Sequence, residues 1–152
     1  MKLVTIRSSA LKRYIEADSE MLHNAKRPCA IVVQMKYKGH RHNFAIPLRS
    51  NINASTPKDL YFALPPRSTT RPKNHHGLHF EKMFPVSKSY LMRFRTEGNK
   101  HSQLIKRIID ENEDVIKQSC WTYLRNYENG KRTKYSTDLD LLIQIMVSDE
   151  SN

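Results

Sequence analysis

The chain has 152 residues, about one average domain, and 38% of them are hydrophobic, enough for a single core. Its 26 Lys and Arg residues against 15 Asp and Glu residues give a formal net charge of +11, which favours a polyanionic partner, nucleic acid before a membrane surface. No stretch approaches the roughly 20 apolar residues that span a bilayer and the first residues do not read as a signal peptide, so we expect one cytoplasmic domain over residues 1–152 with no membrane partner.

The chain opens with a predicted strand and a short helix. Residues 2–7 alternate and contain β-branched side chains, as strands do. Ser8 or Ser9 is the expected N-cap of a helix whose apolar face carries Leu11, Tyr14 and Ile15. A polar loop then covers residues 20–28.

A β-hairpin is the clearest prediction in the sequence. Residues 29–37 are a strongly apolar strand, Lys38-Gly39 is a tight turn, and residues 40–48 return as a second strand. Pro47 has no N–H to donate, so we expect this strand to end at a sheet edge or bulge, with residues 49–51 leaving the sheet.

The middle of the chain alternates between expected strands and a long basic loop. Residues 59–64 are a predicted strand, and residues 65–78 are a loop that contains three prolines. Residues 79–87 are a further predicted strand. Residues 88–95 fit a strand or a helix equally well.

From about residue 100 the apolar residues follow a helical period, in one long helix or two. The expected buried face is formed by Leu104, Ile108, Ile109, Ile116, Cys120 and Leu124. Asn129-Gly130 is a natural helix stop, residues 131–136 are a basic linker, and Thr137 or Asp138 caps a last helix over residues 138–148. The order of elements predicts an α+β fold: a twisted antiparallel sheet or small barrel, with an N-terminal helix and C-terminal helices.

The charged residues are divided unevenly. Residues 1–100 carry 19 basic and six acidic side chains, a net charge of +13, whereas residues 101–152 carry seven and nine, a net charge of −2. All seven histidines lie within residues 1–101. Carboxylates are sparse before residue 100, which argues against two-metal nuclease chemistry, and we expect no metal and no cofactor. Cys29 and Cys120 are expected to be reduced thiols.

Several features, in this order along the chain, resemble the ToxN/AbiQ/TenpN toxins of type III toxin–antitoxin systems, the TenpN branch above all. They are the opening strand and helix, the strand 29–37 with its Lys-Gly turn, a strand ending in Pro-Leu before a small hydroxyl-bearing pair (residues 44–50), a Gly-Leu strand with a Lys-Met-x-Pro end (residues 77–86), and a long C-terminal helical region. Arg49 takes the first position of that pair, so a family role carries over cleanly only to Ser50. Lys26, with His23 upstream, is the approximate match to a second family position.

The resemblance implies a fold akin to the Kid/MazF toxins and metal-independent RNA cleavage that leaves 2′,3′-cyclic phosphate and 5′-OH ends. It implies an inhibitor, a small repeat RNA folded as a pseudoknot that the toxin itself trims and holds in a protein–RNA hetero-oligomer. Cellular or phage RNA would be the substrate, and growth arrest or abortive phage infection the outcome.

Such cleavage needs a base, an acid and donors that stabilise the phosphorane. Arg49 can bind the phosphate and Ser50 can donate to it, although the same pair also fits a solvated turn. The expected acid–base candidates are His23, His42 and His79, each of which could instead be a surface or hydrogen-bonded core residue.

The expected RNA-binding surface is spread over the basic part of the chain. Arg67, Arg71, Lys73 and Lys82 form its electrostatic centre, or else a solvated basic loop. Further expected RNA contacts are Asn51, His42, His75 and His76, with the histidine pair placed in a mobile loop, and Lys131, Arg132 and Lys134, which form a second phosphate patch or a plain linker.

Two other functions fit the same residues. The chain could be a non-catalytic RNA- or DNA-binding regulator, or a basic partner of an acidic protein. RNA cleavage in the absence of divalent metal would distinguish the endoribonuclease hypothesis from these two alternatives.

Overall fold

A computed structural model describes residues 1–22 and 29–151, and within them the chain forms seven strands and four α-helices. The strands are β1 Leu3–Ile6, β2 Cys29–Tyr37, β3 His40–Ile52, β4 Tyr61–Leu64, β5 His75–His79, β6 Phe84–Val86 and β7 Leu91–Arg93. The helices are α1 Ser8–Ala17, α2 Lys100–Glu111, α3 Glu113–Glu128 and α4 Leu139–Glu150. None of the helices described is long and apolar enough to cross a membrane.

All seven strands belong to one antiparallel sheet. Its order is β4-β5-β3-β2-β1-β7, and β6 pairs with β3 next to β5. The path is open at β4 and β7. The predicted α+β fold with an antiparallel sheet is therefore confirmed, and the sheet is open rather than closed into a barrel.

The sheet separates two apolar layers, because alternate residues of each strand face opposite sides. On one face, Ile31 and Val33 of β2 pack with residues of α2 and α3, among them Ile109 and Leu124. On the other face, Ala30 packs with residues of α1 and α4. Both free thiols are shielded, and burial raises the pKa of Cys29 to about 11 and that of Cys120 to about 12.

The predicted hairpin is present, with its first strand and turn as expected. Lys38 and Gly39 have φ angles of 49° and 82°, the left-handed pair typical of a type I′ turn. The second strand does not end at residue 48 but continues to Ile52, so residues 49–51 stay in the sheet.

Pro47 is tolerated in this central strand because of its register. Counting outward from the two-residue turn places the pair Ala30–Pro47 among the pairs without mutual hydrogen bonds, so the Pro47 nitrogen faces away from β2. On that other side of β3, strand β6 pairs with residues 43–45 and strand β5 pairs from Leu48 onward. Pro47 therefore lies in the gap between the two pairing partners. No ladder hydrogen bond is lost there.

Residues 65–95 differ most from the prediction. The loop is shorter than expected because residues 75–79 form β5, which pairs with β3 on one side and β4 on the other. A Cβ on Gly77 would lie 2.2 Å from the carbonyl oxygen of Phe62, so β4 approaches closely only because this residue is glycine. The expected strand over residues 79–87 is a 3-10 turn, Phe80–Lys82, followed by β6. Residues 88–95 form a 3-10 turn and then β7.

The helix predictions hold for the last helix and fail in detail for the others. Asp138 caps α4 by accepting from the Leu141 N–H, and Gly130, with φ 83°, follows the end of α3. Helix α1 begins after Arg7 without a side-chain cap, so the serine cap was wrong. Two helices, α2 and α3, meet at Asn112, and the core position of α2 is Ile105 rather than Leu104.

Candidate functional site

A β-bulge in β3 brings the polar side chains of Ser50 and Asn51 close to His76 of β5. Arg49 pairs with Gly77 and Ile52 pairs with His75, so β3 places Ser50 and Asn51 opposite a single residue of β5, His76. A bulge of this kind bends the strand and turns its side chains in new directions, and bulges are frequent next to active sites.

Asn51 uses its side-chain amide to hold the loop 65–74 against β3. Its Nδ2 donates to the Thr69 carbonyl at 2.9 Å, and its Oδ1 accepts from the Arg71 N–H at 2.7 Å and from Asn74 Nδ2 at 3.3 Å. The predicted RNA contact at Asn51 therefore falls on a side chain that already has three protein partners.

Arg49 begins a chain of buried polar groups. Its Nη1 lies 3.2 Å from Nδ1 of His79, and Nε2 of His79 lies 3.4 Å from the Oε1 of Glu81. A guanidinium can only donate, so Nδ1 accepts and the neutral imidazole carries its proton on Nε2, facing the carboxylate. The Nε2–Oε1 contact is longer than a strong hydrogen bond. His79 and Glu81 are only 3% and 4% exposed.

The pKa shifts of these groups correspond to a charged Arg49, a neutral His79 ring and an ionised Glu81. Burial lowers the pKa of His79, and the Glu81 carboxylate only partly opposes it. Burial acts to raise the pKa of Glu81, but the neighbouring His79 and Thr133 side chains and the Lys82 charge outweigh it, so its pKa is below the ordinary value. Burial also lowers the pKa of Arg49, which Glu81 opposes.

Lys82 faces inward. Its ammonium donates to the Glu20 carbonyl at 3.0 Å, to Glu20 Oε1 at 3.1 Å and to the Tyr135 carbonyl at 2.7 Å. These bonds use all three of its N–H groups, and the side chain is 9% exposed. Lys82 was predicted to bind phosphate. Its position instead links the turn after α1 to the segment 131–136.

Two clefts meet at Arg49. The first cleft, about 560 Å³, lies on the side of His79, Glu81 and Lys82, and Lys134 and Tyr135 line it from the segment 131–136. The second cleft, about 620 Å³, lies between the sheet and the first turn of α2. It is lined by Arg49, Ser50 and Asn51 of β3, His76 of β5, Arg67 of the loop 65–74 and His101 of α2. An extended ligand bound across Arg49 can therefore contact both clefts.

The second cleft contains a histidine pair. The rings of His76 and His101 are 5.9 Å apart between centroids and 30° from parallel. His76 is 3% exposed and lies in β5, so the prediction that it sits in a mobile loop was wrong. Its neighbour His75 is in the same strand and stacks on Tyr61 at 4.9 Å.

The other predicted residues are spread around these clefts. Arg71 and Lys73 are exposed on the loop 65–74. His42 lies seven residues from Arg49 on the same strand, roughly 23 Å away, against Phe44. His23 and Lys26 lie outside the described residues.

The segment 131–136 is divided between binding and structure. Lys131 and Lys134 are exposed, and Lys134 also lines the first cleft. Arg132 is paired with Asp140 at 2.7 Å and lies 4.3 Å above the Tyr127 ring, so its cation is already compensated.

Two residues of the site were not found from the sequence. Glu81 is the only acidic residue between Asp59 and Glu97, and a lone carboxylate beside His79 and Lys82 was an available signal. His101 gave no such signal, because its proximity to His76 depends on the packing of α2. Within residues 1–22 and 29–151, no three His, Cys, Asp or Glu side chains come together in a way that could hold a metal ion.

Three solved bacterial structures share this fold over nearly the whole chain. One is AbiQ, a lactococcal anti-phage endoribonuclease belonging to the type III toxin–antitoxin system, with 18% identity, a TM-score of 0.72, and 99% of this chain and 98% of that chain covered. A second, from a bacterial type III system whose toxin is selectively inhibited by a non-coding RNA pseudoknot, has 16% identity, a TM-score of 0.75 and coverage of 99% and 98%.

A third structure comes from a bacterial antiviral system regulated by a processed non-coding RNA. It has 18% identity, a TM-score of 0.70, and 95% of this chain and 96% of that chain covered. No family model and no curated protein sequence matches the chain. At these identities the likeness establishes the fold: the chain has the fold of these three structures.

Proposed function

We propose that this protein is a cytoplasmic endoribonuclease toxin of a type III toxin–antitoxin system, which cleaves RNA without metal at Arg49 and Ser50. Its proposed inhibitor is a small repeat RNA pseudoknot that the toxin trims and holds in a protein–RNA hetero-oligomer. The observation that carries the proposal is the bulge beside Arg49: Arg49 lines both clefts, and Ser50 lines the second. The shared fold and the net charge of +11 support it.

Arg49 is the proposed phosphate-binding group. One of its two terminal nitrogens is held by His79, which leaves the rest of the planar fork for phosphate oxygens. The Ser50 hydroxyl is the proposed second donor. In the reaction the 2′-oxygen of the ribose attacks phosphorus and the bond to the 5′-oxygen breaks, which gives the cyclic phosphate and a 5′-OH end. Arg49 and Ser50 stabilise the charge on the phosphorane oxygens.

His79 acts in this scheme as a positioning residue. Both of its ring nitrogens face protein groups, Arg49 on one side and Glu81 on the other, so neither is free to exchange a proton with RNA. It fixes the direction of the guanidinium. His23 and Lys26 remain proposed catalytic residues on the strength of the sequence alone.

The RNA backbone is proposed to run from the second cleft across Arg49 to the first. Arg67, Arg71 and Lys73 lie at one end of this path and Lys134 at the other, with the exposed Tyr135 ring beside it for base stacking. Cellular and phage RNAs are the proposed substrates, and growth arrest during infection is the proposed outcome.

The test is incubation of the purified protein with a mixed RNA in EDTA, followed by end-group analysis and mapping of the cuts. Discrete cuts with 2′,3′-cyclic phosphate and 5′-OH ends are expected. Ser50→Ala should lose about 100-fold in rate while RNA binding, measured by gel shift, is retained. Ser9→Ala, an exposed serine on α1, is the matched control and should cut like the wild type.

Two results would count against this function. RNA that shifts in the gel but stays intact, from protein stripped of bound RNA, would identify a non-catalytic nucleic-acid-binding regulator. Full activity of Ser50→Ala would show that the site is elsewhere.

A further inference from the structure

The second cleft holds two histidines that the roles given above leave without a function. His76 lies in β5, directly across the bulge from Ser50, and His101 is the second residue of α2. The two are 25 residues apart in sequence, yet their rings stack at 5.9 Å within a cleft that also contains Ser50 and Arg67.

The protonation state of His76 follows from its hydrogen bond. Nδ1 lies 2.8 Å from the Pro65 carbonyl oxygen, which can only accept, so Nδ1 carries the hydrogen. In the neutral ring Nε2 therefore keeps a free lone pair. Nε2 makes no hydrogen bond to any residue within the described ranges, and a lone pair of this kind is what a general base requires.

The groups that face His76 keep it neutral. Burial lowers its pKa most, and the positive charge of Arg67 from the loop and the neighbouring His101 from α2 lower it further, against the Pro65 hydrogen bond. Across the sheet, β3 contributes Ser50 and Asn51, which do not titrate. The base is therefore in its active form at neutral pH.

His101 offers the complementary chemistry. Its Nε2 is buried and has no hydrogen-bond partner among the described residues, an unusual state for a buried ring nitrogen. The side chain is half-buried and lines the same cleft as Ser50. A phosphate held between Arg49 and Arg67 would lie beside this ring and offer its oxygens as acceptors for a proton on Nε2.

We propose that His76 and His101 are the general base and general acid of RNA cleavage. This inference rests on the proposed function. His76 Nε2 takes the proton of the ribose 2′-OH as the 2′-oxygen bonds to phosphorus. The bond from phosphorus to the 5′-oxygen breaks, and its electron pair takes a proton from His101. Each turnover leaves His76 with one proton more and His101 with one fewer, and exchange with water restores both.

The test separates the two roles by the leaving group. The substrates are a short RNA that spans a mapped cut and the same RNA with sulfur in place of the scissile 5′-oxygen. A thiolate is a much weaker base than an alkoxide and leaves without a proton, so it makes the acid unnecessary. The variants are His76→Asn, whose amide N–H can still donate to the Pro65 carbonyl, and His101→Ala. His40→Ala, on an exposed histidine at the hairpin turn, is the control.

On normal RNA, both variants should be about 100-fold slower than the wild type, with RNA binding unchanged. On the sulfur substrate, His101→Ala should recover to within about 10-fold of the wild type, while His76→Asn should remain slow. His40→Ala should match the wild type on both.

Each failure has its own signature. Wild-type protein that cuts neither substrate overturns the proposed function and this inference with it. Wild-type cleavage together with full activity of His76→Asn, or no sulfur rescue of His101→Ala, overturns the inference and leaves the function standing. If a variant does not fold, the pH–rate profiles of the wild type on the two substrates test the inference. The fall in rate at alkaline pH should be present on normal RNA and absent on the sulfur substrate. The same profile on both substrates would refute the assignment of His76 and His101 as base and acid.

Discussion

Mild acid should destabilise this protein, because two buried histidines resist protonation. The pKa values of His76 and His79 both lie below the ordinary value near 6.5, chiefly through burial. As the pH falls below 6.5, the unfolded chain takes up protons at these residues and the folded chain does not. The unfolded state then binds more protons, so the free energy of unfolding must fall with pH.

The size of the effect follows from the populations. A histidine that stays neutral when folded and has a pKa of about 6.5 when unfolded contributes up to about 1.4 kcal/mol of lost stability between pH 7.5 and 5.5. His76 and His79 together give up to about 2.7 kcal/mol, a large share of the stability of a domain of this size. Glu81 adds nothing in this window, because its lowered pKa keeps it ionised until more acidic pH.

Urea unfolding at pH 7.5, 6.5 and 5.5, at constant ionic strength, measures this directly. The midpoint should shift downward with an unchanged slope. His76→Asn should remove about half of the pH dependence, since one of the two buried rings is gone. A free energy of unfolding that is flat across the window, or that rises as the pH falls, would refute the assignment of these rings as neutral when folded.

Three other changes test separate parts of the structure. Gly77→Ala should lower the free energy of unfolding, measured in urea, by about 1–3 kcal/mol or more, because the new methyl group would clash with the Phe62 carbonyl. An unchanged free energy of unfolding would mean that β4 can move away. Lys82→Met should cost about 3 kcal/mol in the same assay and leave the salt dependence of RNA binding unchanged, because the ammonium is bonded internally. Arg71→Gln should reduce the slope of log K against log salt by about 0.7–0.9, whereas Lys117→Gln, on the acidic third of the chain, should not.

The sequence predicted the parts of the fold that local patterns determine. The hairpin depends on an apolar strand and a Lys-Gly turn, and the last helix on an aspartate cap. Strand β5 could not be predicted in this way, because its sequence is His-His-Gly-Leu-His. It is a strand because β3 and β4 pair with it on both sides and because Gly77 allows β4 to approach.

Residues of the candidate site were named from the sequence, but their arrangement was not predicted. Arg49, Ser50 and His79 were named from the sequence, yet residues 49–51 were expected to leave the sheet, whereas the structure keeps them in β3 around a bulge. The bulge places Ser50 opposite His76, and no sequence period specifies an extra residue in a strand. For the same reason Lys82 was assigned to the surface: its charge was visible in the sequence, and its three internal partners were not.

Arg49 stands where the resemblance places a hydroxyl-bearing residue, and buried polar groups of the structure compensate its charge. A half-buried guanidinium needs a compensating anion, and Glu81 supplies one through the ring of His79. Arg49 and Glu81 should therefore be energetically coupled although no hydrogen bond joins them. In a double-mutant cycle of Arg49→Met and Glu81→Gln, we expect a coupling energy of at least about 0.5 kcal/mol in urea unfolding at pH 7.5. His79→Phe, which fills the space without the polar contacts, should reduce that coupling to the direct attraction between the two charges. Strictly additive effects in the wild-type background would mean that Arg49 is held by burial alone, and that the three residues do not act as a unit.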